Sequence, residues 1–284
     1  MIELLKAALF GLVEGVTEWL PVSSTGHMIL LNNWVKLNVS KNFYSMFEVV
    51  IQFGAIMAVV IMFWNKLWPW YMKKVKVHGQ MATRQRPAWK KGSLDMWIKI
   101  IVCCIPAAVV GVLFDDKIDE LFYHPVPVAL ALIVVGVIFI IVEMTAGKRS
   151  PKANSIAEMS YSMVVWIGIA QTLAAIFPGT SRSGATIIGA LMVGVSRGVA
   201  AEFTFFLAVP VMLGASLLKI VKFVHAGYAM TGLEGGILAV GCIVAFVVSI
   251  VVIRFFMSYI KKHDFKVFGW YRIILGIAVL ALVH

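Results

Sequence analysis

Cysteine is nearly missing from the chain. Cys103, Cys104 and Cys242 all fall inside apolar runs, odd in number and without C-x-x-C spacing, so neither a disulfide framework nor a zinc site is indicated. The three read as small buried hydrophobes. Histidine is scattered: His78, His124, His225, His263 and His284 stand singly in loops or at the end, with no ligand-spaced partner. No small-residue cleavage site follows the first apolar run, which is therefore not read as a removable signal peptide. The acidic cluster D-D-K-I-D-E (115–120) contains the D-D-x-x-D pattern of prenyl synthases but lacks a second acidic motif, and it reads as a solvated connector between two spans.

What is abundant is apolar surface. The chain is 61% hydrophobic with a mean hydropathy of +0.92, far above a soluble composition, and several runs exceed the length that crosses a bilayer. An all-α polytopic membrane protein is expected, with the bilayer as its surroundings. The net charge of +11 does not argue for nucleic acid, because Lys and Arg concentrate in particular loops. Such a pattern is an orientation signal. The loop 65–96 carries Lys66, Lys73, Lys74, Lys76, Arg84, Arg86, Lys90 and Lys91 against Asp95 alone, which places it in the cytoplasm. Lys148, Arg149 and Lys152, and later Lys261, Lys262 and Lys266, mark the same side. Six full spans are expected, at 47–64, 97–114, 126–143, 202–221, 235–259 and 268–283, together with two broken, re-entrant hairpins.

The first break is E-G-V-T-E-W-L-P-V-S-S-T-G-H, residues 14–27. Glu14 and Glu18 are four apart, on one helical face, inside an apolar run where each charge costs on the order of 3 kcal/mol. They call for a metal ion or a guanidinium. Pro21 stops the helix, Ser23, Ser24 and Thr25 follow, and His27 comes three residues after Ser24, within reach of its proton or beside it. The second break, P-G-T-S-R-S-G-A-T (178–186), looks like a degenerate copy. At an offset of 157, Gly11 meets Gly168, Glu14 meets Gln171, Pro21 meets Pro178, Ser23 meets Thr180 and Ser24 meets Ser181. Loop charges make the span after Glu48 run inward and the span after Glu202 run outward, so the halves, roughly 1–143 and 161–284 of one integral membrane domain, have inverted topology. In such folds the breaks meet near the midplane. One copy offers carboxylates and the other Arg182, and a divalent metal with a diphosphate needs such a combination.

Both motifs, together with F-E-V-V-I-Q (47–52) and G-V-S-R ending at Arg197, resemble the undecaprenyl-diphosphate phosphatase family of bacteria, the bacitracin-resistance type. The resemblance covers essentially the whole chain. It implies a metal-dependent enzyme of the bacterial plasma membrane that removes the terminal phosphate of a C55 polyprenyl diphosphate, giving the monophosphate carrier used for peptidoglycan synthesis.

On this reading Glu14 and Glu18 hold Mg²⁺ or Ca²⁺, the bland alternative being a structural pair with Arg182. Ser24 is the candidate nucleophile with His27 as its base, and direct attack by His27 competes with it. Arg182 clamps the phosphoryl group, supported by Ser181, Ser183 and Thr186. Ser23, Thr25, Glu48 and Arg197 are expected to bind substrate, although Glu48, Arg197 and Glu202 lie at span ends and would also suit headgroup water. The site is expected to open to the extracytoplasmic side. Two rival functions remain open at this stage, a polyprenyl-phosphate flippase or transporter on the same scaffold and an intramembrane prenyltransferase. The oligomeric state, a homo-oligomer included, is also open.

Overall fold

A computed structural model describes residues 1–77, 80–145 and 149–283. His78, Lys148 and His284 lie outside the described residues. The chain is helical almost throughout: α1 (Ile2–Thr17), α2 (Ser24–Trp34), α3 (Lys41–Met62), a single turn α4 (Trp64–Leu67), α5 (Lys91–Phe122), α6 (Pro125–Thr145), α7 (Tyr161–Ile176), α8 (Arg182–Met192), α9 (Arg197–His225), α10 (Gly232–Tyr259) and α11 (Lys266–Leu282). Five of them, α3, α5, α6, α9 and α10, are long and apolar enough to cross a membrane. These match five of the six expected spans. The sixth, α11, has 17 residues, and at 1.5 Å per residue it is about 25 Å long, under the usual spanning length. The long helices leave Val112, Leu113, Val134, Ile141, Val251 and Phe255 exposed. So much apolar outer surface is stable against lipid and not against water.

One expectation about the connectors needs correction. The acidic stretch is not a connector, because α5 continues through it to Phe122; Asp116 and Asp119 then face α9, at 2.8 Å from Lys222 and Lys219. The basic loop holds a hairpin. Strand β1 (Trp70–Val77) pairs antiparallel with β2 (Gln80–Trp89), in a register that sets Trp70 opposite Trp89. Stacked and edge-on contacts among Trp64, Trp68, Trp70 and Trp89, with centroids 4.6 to 5.5 Å apart, join this ribbon to α4.

The helices pack as two sets that exchange partners. α1 lies on α10 and α7 lies on α5, α2 touches α11 and α8 touches α6, while α3 meets α9 and α6 meets α11. One residue type fixes the first of these contacts in both sets. A Cβ on Gly11 would come within 2.4 Å of the Gly241 carbonyl oxygen, and one on Gly168 within 2.7 Å of the Cys103 carbonyl oxygen. Both glycines permit backbone-to-backbone approach of a short helix to a long one.

After each short helix the chain breaks in the same way. Ser23 (φ +73°) and Ser181 (φ +67°) are the described non-glycine residues with positive φ, and each caps the following helix by accepting from the N–H three residues on, Gly26 or Gly184. The positive φ is a strained conformation for serine, tolerated where the surroundings enforce it. The structural counterpart of Ser181 is therefore Ser23, not Ser24. An offset of 157 holds up to the prolines and becomes 158 after them. The extra residue lies in the Gly179 turn, whose φ of +95° suits only glycine.

Candidate functional site

The corrected register makes Ser24 and Arg182 equivalent, each the first residue of the helix after its break. They meet at one carboxylate. Glu18, at the C-terminal end of α1, accepts from the Ser24 hydroxyl at Oε2 (2.9 Å) and from Arg182 at Oε1 (2.8 Å). The guanidinium also donates to the Thr204 carbonyl of α9 at 2.8 Å. Residues from both breaks thus converge within the apolar body, on a cavity of about 1080 Å³. Glu18, Ser24, Thr25, Ser181 and Arg182 line it, and so do Glu48 of α3 and Tyr123, whose hydroxyl is 3.2 Å from the Glu48 carboxylate. Pro210, Gly214 and Leu218 of α9 give it an apolar arm.

Behind this wall the breaks are held by a residue that the sequence reading passed over. Arg272 of α11 is fully buried and donates to the carbonyls of Pro21 (3.3 Å), Gly179 (2.8 Å) and Thr180 (2.7 Å). It satisfies main-chain acceptors that the interrupted helices leave without partners. Its signal was legible, since an arginine inside an apolar run is rare and calls for a partner. Ser183 binds the Glu18 carbonyl at 3.1 Å, and Thr186 binds the Thr204 hydroxyl at 2.8 Å. Both are buried outside the cavity lining, so they brace the Arg182 helix rather than face a substrate. The Ser23 hydroxyl is likewise taken up in capping.

His27 is not where the sequence placed it. Its Nδ1 lies 2.7 Å from the Ser23 carbonyl and its Nε2 2.7 Å from the Tyr271 hydroxyl, with the two rings stacked at 5.6 Å. One turn of helix after Ser24 points it to α11, away from the cavity, while Ser24 is given to Glu18. Arg197 is also misplaced by the sequence reading. It makes a two-pronged pair with the buried Glu143 of α6 (3.0 and 2.6 Å), and Glu143 also accepts from the Phe265 N–H. Arg197 thereby ties α9, α6 and the start of α11 together. Glu202 pairs with Lys66.

Glu14 sits one helical turn before Glu18 on α1. It is 1% exposed, its Oε1 has no hydrogen-bond partner, and Glu18, Glu48 and Arg182 are its charged neighbours. Among the described residues no cluster of three or more His, Cys, Asp or Glu forms a metal cage. Mg²⁺ needs none, because it is commonly held by one or two carboxylates with the remaining ligands from phosphate and water.

Sequence comparison identifies the family. The family described as "Bacitracin resistance protein BacA" matches residues 7–278. The undecaprenyl-diphosphatase of Desulfitobacterium hafniense is 54% identical over 281 residues, 99% of this chain and 96% of that protein. Undecaprenyl-diphosphatase 1 of Clostridium acetobutylicum is 56% identical over 279 residues (98% and 97%), and the undecaprenyl-diphosphatase of Enterococcus faecalis 53% over 281 (99% and 97%). With a match that runs through both breaks and nearly every helix, the chain belongs to the BacA bacitracin-resistance family.

Proposed function

We propose that this protein hydrolyses undecaprenyl diphosphate to undecaprenyl phosphate and inorganic phosphate, regenerating the carrier lipid for peptidoglycan synthesis and so conferring bacitracin resistance. The observation that carries the reading is Glu18, joined at one oxygen to a hydroxyl and at the other to a guanidinium on the wall of a large cavity among membrane-spanning helices. The Ser24 oxygen attacks the terminal phosphorus while its proton passes to Glu18 Oε2, and the bridging P–O bond breaks to release undecaprenyl phosphate. Water then cleaves the phosphoserine, its hydroxyl going to phosphorus and its proton returning by way of Glu18 to Ser24. Arg182 provides a forked donor for the equatorial oxygens of the transferring phosphoryl group. Thr25 and Glu48, on the same wall, border the headgroup.

Glu14 and Glu18 are suited to holding Mg²⁺ or Ca²⁺, with Glu14 Oε1 as the oxygen left over for it. Such an ion would supply neutralisation of the leaving monophosphate. His27 acts as a brace for α2 rather than as base or nucleophile. The two helix sets form the inverted halves 1–143 and 161–284, in the bacterial plasma membrane, with the first break opening to the extracytoplasmic side and the basic ribbon in the cytoplasm. The deciding assay is phosphate release from undecaprenyl diphosphate by detergent-purified protein with Mg²⁺ or Ca²⁺. Release by wild type and its loss in Ser24→Ala support the reading; no release with either metal refutes it.

A further inference from the structure

Gln171 of α7 is 2% exposed, and neither its Nε2 nor its Oε1 has a hydrogen-bond partner in the protein. Yet it lines the same cavity as Glu18, Ser24 and Arg182. A buried primary amide with two donor hydrogens and an acceptor oxygen unmet is a costly use of a position that leucine or methionine could fill. The neighbouring hydroxyl has no hydrogen to give its Oε1, since Thr172 donates to the Gly168 carbonyl at 2.9 Å. Glu14 occupies the equivalent place in the other helix set and is left with an orphan oxygen too. The pair differs in chemistry. Where Glu14 carries a titratable carboxyl group, Gln171 presents donors that stay neutral at every pH and can meet an anion without an accompanying cation.

We propose that Gln171 is a substrate-binding residue, its Nε2 donating to a non-bridging oxygen of the diphosphate while its Oε1 accepts from a water in the cavity. This rests on the hydrolase reading above and adds a contact to it. The phosphates would then be met from three directions: Arg182 from α8, Ser24 from α2 and the amide from α7.

The test uses full-length protein in detergent, with wild type, Gln171→Met and Gln171→Glu compared. Three quantities are measured: kcat and KM for undecaprenyl diphosphate, pyrophosphate binding by calorimetry, and Tm. Gln171→Met keeps the length of the side chain and removes the donors, so kcat/KM should fall about 10- to 100-fold and pyrophosphate should bind correspondingly more weakly, with Tm unchanged or higher. Gln171→Glu should lose more, because a carboxylate then faces phosphate. If both variants stay within about twofold of wild type in turnover and in pyrophosphate binding, the amide is served by water alone and the proposal falls. A wild-type protein that binds pyrophosphate through Gln171 yet hydrolyses nothing would leave the contact standing and overturn the hydrolase reading instead.

Discussion

In the proposed mechanism Ser24 and Arg182 divide the chemistry around the Glu18 carboxylate, and each residue has a distinct signature when altered. Ser24→Ala should lower phosphate release by about 10³-fold or more, because the proposed nucleophile is lost. His27→Ala should change kcat by less than about tenfold and should instead lower Tm, since it breaks the contacts to Ser23 and Tyr271 that seat α2. A His27→Ala enzyme as dead as Ser24→Ala would return the base or nucleophile to His27. Arg182→Lys keeps the charge but loses the fork that reaches Glu18 and the Thr204 carbonyl together. A drop of about 10²-fold in kcat is expected, with near-normal turnover as the contrary result. Chelation should abolish turnover and added Mg²⁺ or Ca²⁺ should restore it, whereas full activity in excess chelator would remove the metal from Glu14 and Glu18.

Among the elements, the two breaks depend on Arg272. Arg272→Met would leave the carbonyls of Pro21, Gly179 and Thr180 buried without donors, a loss of roughly 1–3 kcal/mol for each unsatisfied group. Tm should fall markedly and activity with it; a variant that melts like wild type would show that the breaks hold themselves. This element scale also shows what could be read ahead of the coordinates. Long apolar runs gave five spans closely, since hydropathy over some twenty residues is decided locally. Pro21 and Pro178 gave both breaks for the same reason. The exact equivalence did not follow, because one extra residue at Gly179 slides the alignment and only backbone φ reveals that Ser23 matches Ser181. Nor did the partners of His27 and Arg197, which are set by the packing of α11 and α6, distant in sequence. The acidic stretch was misread because composition suggested a loop, while the facing lysines of α9 favour its continuation as helix.

The whole molecule carries its mirrored helix sets as a statement about sidedness. Single cysteines placed at exposed Ser40 and Lys152 should react with a membrane-impermeant maleimide from opposite faces of the cell membrane. Reaction of both from one face would cancel the inverted arrangement. At this scale Arg272 has an electrostatic meaning apart from its grip on the loops. Among the described residues its hydrogen bonds go only to main-chain carbonyls, and no carboxylate neutralises it. A guanidinium without a carboxylate partner among the described residues thus sits just behind the Pro178–Ser181 stretch, shielded from bulk electrolyte by the surrounding apolar helices. A diphosphate headgroup in the cavity would be drawn toward that charge, and the attraction should persist at ionic strengths that erase the pull of surface lysines.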